Sequence, residues 1–303
     1  MVNPGGQESH QFRFHRRWQV HDGRLRSYFE LALKSTRTAD HLIPLFYPYQ
    51  RKTMQKPIAI VLAAGKGTRM QSDLPKVLCE VMGRPMIHFV LDALDEAGFE
   101  EKVVVVGYRA EMVKEALADR KNIRFALQTE QLGTGHAVMV CREVIADHHG
   151  PLLVVAGDSP MIQQSSLNEL YEHFQAEKPA CLLGTLEKAN PDGLGRIVRD
   201  ENGEFLGIVE EKDASESQRA IKEVNMSTYL FDNQSMLGVL SELKNSNSQG
   251  EYYLTDSPAH LKKQGKKVQA LPVLKPCESL SINTVDELAI VDAEMQRMIN
   301  ENA

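Results

Sequence analysis

Ile58-Ala59-Ile60-Val61-Leu62-Ala63-Ala64-Gly65-Lys66-Gly67-Thr68-Arg69-Met70 decides how the rest of the chain is read. Ile58 to Leu62 is a continuous apolar run, as expected of a strand buried on both faces. It ends in Ala-Ala-Gly-x-Gly, where small residues clear space and glycines permit positive φ. Successive N–H groups in such a loop can turn inward and cradle phosphate oxygens. Leu62, Ala63, Ala64 and Gly65 are therefore the expected nucleotide-binding stretch, and Arg69 and Lys76 bring cations to the same place. The dinucleotide fingerprint does not fit, because its third glycine would fall on Met70. The P-loop does not fit either, because Lys66 precedes Gly67 instead of following it. The loop suits a nucleoside triphosphate.

Working outward, apolar runs at 103–106 and 152–156 read as further buried strands. Between them Met86, Ile87, Val90, Leu91 and Leu94 fall on one helical face, and Met112, Val113 and Leu117 do so in a second helix. This alternation implies an α/β fold of Rossmann-like type, with a mostly parallel sheet and helices on both faces. Beyond about residue 178 the runs at 180–186, 205–210, 224–231 and 268–273 read as strands with fewer helices between them. They predict a mixed-sheet region over the substrate site. A closing helix fits 284–298, with Asn283 or Thr284 as its cap.

Residues 1–53 read differently. They carry nine basic against four acidic residues, a net +5, and so leave −11 on the rest of a chain whose total is −6. An extension over 1–53 and a catalytic domain over 54–303 are the expected division. The overall charge gives no nucleic-acid footprint. An acidic body that binds triphosphate needs local cations and a metal. The four scattered cysteines form no metal or redox motif. No apolar run is long enough to span a membrane, and the N-terminus lacks a signal peptide's apolar region. Reduced thiols and a cytoplasmic location are expected. Nothing in the sequence sets the oligomeric state.

Several ordered motifs extend the first. They are Leu74-Pro75-Lys76-Val77-Leu78, the stretch Gln128 to Ala137, Gly157-Asp158, Gly193 to Ile197, Gly207 to Ala214, and Gln249 to Asp256. Together with Leu62 to Met70 they resemble the sugar-1-phosphate nucleotidyltransferases, most nearly the bacterial N-acetylglucosamine-1-phosphate uridylyltransferases. The likeness runs from about Lys56 to the end. It implies UTP and a sugar 1-phosphate as substrates, a UDP-sugar used as a cell wall precursor, and Mg²⁺ as cofactor. Bifunctional relatives also carry a β-helix for acetyl transfer. No hexapeptide repeat follows residue 230, so that half is expected to be absent from this chain.

The implied reaction is in-line attack by the sugar phosphate on the α-phosphorus of UTP, with pyrophosphate leaving. The nucleophile is already anionic, so positioning and charge neutralisation are the task. Asp158 stands at the carboxyl end of an expected strand, where ligands of α/β sheets gather, and is the expected Mg²⁺ ligand. The resemblance gives Asn283 as the second metal oxygen, although capping a helix is an alternative for it. Lys76 would neutralise the reacting phosphates, and Arg69 would hold the departing pair. Lys66 and Lys212 read as solvated charges or as minor contacts. By resemblance Gln128, Gly133 and Thr134 bind uracil, with the opening of a helix as an alternative for Gly133. Gly195, Glu210 and Asn225 contact the sugar. His136 reads as a packing or surface residue. Ala156 stands where the family commonly has an aromatic, and Met226-Ser227 and Leu280-Ser281-Ile282-Asn283 also depart from its pattern. Ala156 is expected to open space at the sugar pocket and Met226-Ser227 to fill it. A different base or sugar, or a sugar-nucleotide sensor without turnover, are the alternative readings.

Overall fold

The computed structural model describes residues 55–70, 72–280, 282 and 284–302. The expected extension over 1–53, Ser281 and Asn283 lie outside the described residues. The first strand, β1 (Ile58–Ala63), is an interior strand of the sheet. It is followed by a short hairpin of β2 (Glu80–Val81) and β3 (Arg84–Pro85), and then α1 (Met86–Glu96). Next come β4 (Glu101–Val106), α2 (Ala110–Ala116), β5 (Ile123–Leu127), α3 (Thr134–Met139), α4 (Arg142–Ile145), β6 (Pro151–Ala156) and α5 (Gln164–Glu177). The second half contains β7 (Cys181–Glu187), β8 (Gly195–Arg199), β9 (Phe205–Val209), α6 (Glu216–Arg219), β10 (Glu223–Asp232), α7 (Asn233–Val239), α8 (Ser257–Lys263), β11 (Val268–Leu271) and α9 (Val285–Asn302).

The main strand order is β11-β7-β10-β6-β1-β4-β5. β1 pairs in parallel with β4 and β6, β4 with β5, and β11 with β7. β10 runs antiparallel to β6, β7 and β8, and β8 pairs antiparallel with β9. The expected parallel α/β sheet with a mixed second region is therefore the fold. Successive residues of each central strand serve opposite layers. Ile58 and Ile60 join one core with Val138, Ile145, Val239 and Leu261, whereas Ala59, Val61 and Ala63 join the other with Ile87, Leu91, Val113 and Leu167. Helices cover both faces because every strand there is apolar on both sides.

The sequence reading passed over β5, β8 and α5. β5 is a sheet edge with an alternating pattern and an exposed Leu127. α5 buries Leu167, Leu170 and Phe174 at helical spacing. The closing helix is capped by Thr284: its Oγ1 accepts from Glu287 N at 3.2 Å, and Glu287 Oε2 accepts from Thr284 N at 3.0 Å. That reciprocal pair is a capping box, and it fills the capping role considered for Asn283.

β10 carries a bulge between Asn225 and Thr228, and Ser227 within it has φ 53°. A side chain in the left-handed region costs about 1 kcal/mol relative to glycine. Ser227→Gly is therefore expected to raise stability by about 1 kcal/mol and Tm by about 2–4 °C. Thermal unfolding checks this, and an unchanged or lower Tm would contradict the strain. Met226, on the same bulge, is buried in the core beside Val224 and Leu274. It shares a small cavity with Val155, Ala156, Thr228 and Leu274.

Candidate active site

The order of strands around β1 creates a switch point: β4 lies on one side and the later β6 on the other. Crevices outside the carboxyl ends of strands at such a point are where α/β sheets bind ligands. Gly157 ends β6 there. Its N–H donates to the Leu62 carbonyl at 2.9 Å, and a Cβ at Gly157 would also lie 2.9 Å from that oxygen. Only glycine lets the end of β6 lie this close to β1, and Asp158 follows it directly.

Lys76 approaches from the other side. It opens a 3₁₀ turn, Lys76–Leu78, preceded by Pro75 and pinned by the buried Val77 and Leu78. Its Nζ lies 2.5 Å from Asp158 Oδ2, and the lysine side chain is only 14% exposed. Lys76 is therefore a mostly buried, ion-paired lysine. The loop after β1 seats its stem. Gly67 has φ 67°, and a Cβ there would lie 2.7 Å from Lys76 Cβ. Gly65 differs: its φ is not positive, and nothing lies within 4 Å of an added Cβ. One glycine supplies the backbone turn and the close packing, while the other leaves room. Arg69 is exposed on the turn Thr68–Met70. Lys66 Nζ lies 5.3 Å from the centre of the Tyr108 ring, within cation–π range.

Gln128, Gly133 and Thr134 come together at the next edge. Gln128 is buried, and its Nε2 lies 3.1 Å from the Gly133 carbonyl and 3.2 Å from His136 Nδ1. A carbonyl only accepts, so the amide nitrogen must face Gly133. His136 Nδ1 then accepts as well, which assigns the imidazole proton to Nε2. His136 is thus an orienting partner of Gln128, a role that sequence reading missed. Both amide hydrogens are engaged, which leaves Gln128 Oε1 as the acceptor. Gly133 precedes α3 with φ 105°, and a Cβ on it would lie 2.6 Å from the Tyr252 carbonyl. It therefore opens a helix and also admits a close backbone neighbour. Thr134 Oγ1 accepts from Leu254 N at 3.1 Å.

Gly195, Glu210 and Asn225 also converge. Gly195 pairs with Asn225 across β8 and β10. A Cβ on Gly195 would lie 3.5 Å from Asn225 Cβ and 3.6 Å from Glu210 Oε2. Burial raises the Glu210 carboxyl above its usual range, and the hydrogen bond from Thr255 Oγ1 at 2.9 Å opposes that shift. Thr255 belongs to the same segment as Tyr252 and Leu254, so one strap touches both the Gln128 group and the Glu210 group. Lys212 donates to Gln249 Oε1 at 2.6 Å and braces this strap. Among the described residues no cluster of three or more His, Cys, Asp or Glu could hold a metal. A lone Asp158 carboxylate fits a Mg²⁺ ion, which keeps most of its positions for phosphate oxygens and water. Asn283, the other expected ligand, is outside the described residues.

A family model described as nucleotidyl transferase matches residues 58–272. The bifunctional protein GlmU of Streptococcus mutans is 45% identical over 242 residues, which cover 80% of this chain and 52% of that protein. The GlmU protein of Enterococcus faecalis is 42% identical over 248 residues, covering 82% of this chain and 54% of its own length. The chain therefore spans about half the length of these curated relatives. Among solved structures, a UDP-glucose pyrophosphorylase complexed with UDP-glucose superposes with a TM-score of 0.65 at 19% identity, over 81% of this chain and all of that one. That likeness speaks for the fold. The family match spans β1, the Lys76 turn, Asp158 and both convergent groups beyond them, and the chain belongs to the nucleotidyl transferase family.

Proposed function

We propose that this enzyme transfers a uridylyl group from UTP to N-acetylglucosamine 1-phosphate, giving UDP-N-acetylglucosamine and pyrophosphate. The observation that carries the reading is the 2.5 Å contact between Lys76 and Asp158. It joins the phosphate loop to the end of β6 and so fixes a cation and an anion at one point. Lys76 neutralises charge on the α-phosphoryl group as the sugar phosphate oxygen attacks it, and Arg69 holds the leaving phosphates. Asp158, with Asn283, would hold Mg²⁺, which when bound supplies further neutralisation of the phosphates. No side chain has to take a proton, because the attacking oxygen is already an anion.

Gln128 Oε1 is the acceptor for the imide N–H of uracil, a group that cytosine lacks at the same ring position. Gly133 lets the ring approach the backbone. Gly195, Glu210 and Asn225 read the sugar and its N-acetyl group. Buried polar groups of this kind reject ligands that leave them unpaired. Four free thiols suit a reducing, cytoplasmic setting. Initial rates across UTP, CTP and dTTP, each with N-acetylglucosamine 1-phosphate and glucose 1-phosphate, test the assignment. The expected result is the highest kcat/KM for UTP with N-acetylglucosamine 1-phosphate and negligible turnover of CTP. A clear preference for glucose 1-phosphate, or equal use of CTP, would overturn the assignment.

A further inference from the structure

Arg196 is the largest fully buried side chain of the structure and lies one residue from Gly195. A guanidinium does not lose its proton in a protein, so its charge needs a partner. Arg196 Nη2 lies 2.7 Å from Glu211 Oε2, an ion pair in which the N–H is not aimed along the line to the oxygen. Arg196 also donates to the Leu194 carbonyl through Nη1 and to the Arg219 carbonyl through Nε at 3.3 Å. The Glu211 carboxylate meets two further groups: Gly193 N donates to Oε2 at 3.3 Å, and Arg219 Nε lies 3.3 Å from Oε1. One carboxylate and two guanidiniums therefore fasten the 193–196 turn, the turn after β9 and α6 together. Gly195 and Glu210 are the chain neighbours of Arg196 and Glu211, and Arg196 stands opposite Val209 in the β8–β9 register. Buried ion pairs add little net stability but can fix one arrangement of the parts they join.

We infer that Glu211, through Arg196 and Arg219, is a positioning residue for the sugar 1-phosphate: it holds Gly195 and Glu210 in register without touching substrate. This rests on the uridylyl-transfer reading above. The test measures initial rates of wild type and Glu211→Gln with each substrate varied, together with thermal unfolding. Glu211→Gln removes the charge while keeping the shape. It should raise the KM for N-acetylglucosamine 1-phosphate about tenfold, the effect of one lost charge-assisted contact. The KM for UTP should stay within about twofold, since the Gln128 group is untouched. Arg219→Gln, which removes only the more exposed partner, should raise the sugar phosphate KM by about threefold. A folded Glu211→Gln enzyme with an unchanged sugar phosphate KM, or with an equal rise for UTP, would overturn the proposal. If Glu211→Gln does not fold, Arg219→Gln decides by the same KM comparison. Wild-type product formation is measured first, and its absence contradicts the uridylyl-transfer reading itself. Hydrogen exchange then tests the clamp alone: Glu211→Gln should speed exchange at Gly193 to Arg196 about tenfold, and unaltered exchange there would overturn it.

Discussion

Asp158→Ala is expected to lower turnover by about a thousandfold or more, the scale set by losing a charge-organising group in a closed site. Asp158 is the carboxylate that Gly157 delivers to the carboxyl edge of the sheet, where Gly157 N donates to the Leu62 carbonyl of β1. Its oxygen is already aimed at the phosphate loop, as its 2.5 Å approach to Lys76 records. Alanine removes the carboxylate of Asp158 and leaves the Gly157 contact that shapes the backbone. The fold should survive, because the Asp158 side chain is about one-quarter exposed and belongs to no core cluster. The check is turnover with Mg²⁺ and with chelator, alongside circular dichroism. Full activity of the variant, or full wild-type activity in chelator, would sink the metal-binding role.

Lys76→Ala should lower kcat by about a hundredfold, comparable to deleting one preorganised stabilising group. The amine sits on a turn whose next two residues are buried, and its stem lies against Gly67. Such a cation loses little freedom on meeting a phosphate, so its effect belongs to the transition state. The stability change should stay below about 1 kcal/mol, since a turn lysine fills no core position. Steady-state kinetics decide the role. A raised KM for UTP with kcat unchanged would make Lys76 a binding group only.

The fold was legible wherever strands are buried on both faces. Ile58 to Ala63, Glu101 to Val106 and Pro151 to Ala156 announce themselves because no polar residue interrupts their buried ends. β5 was not, because an edge strand faces solvent on one side and Arg124 breaks its apolar run. The Thr284 cap was one of two readings, as Asn and Thr both serve that position. The Gly65–Arg69 loop, Lys76 and Asp158 stood out as candidates from residue type and spacing. Their pairing did not, since it depends on β1 and β6 becoming neighbours across about 90 residues of chain. His136 and Glu211 were invisible for the same reason. A histidine on a short helix and a glutamate in an acidic turn carry no local signal. Only the fold sets His136 beside Gln128 and Glu211 beside Arg196.

Reversible uridylyl transfer at the Lys76–Asp158 pair would carry label from pyrophosphate back into UTP. It is tested most directly by passage of labelled pyrophosphate into UTP in the presence of UDP-N-acetylglucosamine and Mg²⁺. Rapid incorporation that requires the UDP-sugar and disappears in Asp158→Ala is the expected result. A folded wild-type enzyme that binds UDP-N-acetylglucosamine yet incorporates no label would contradict it.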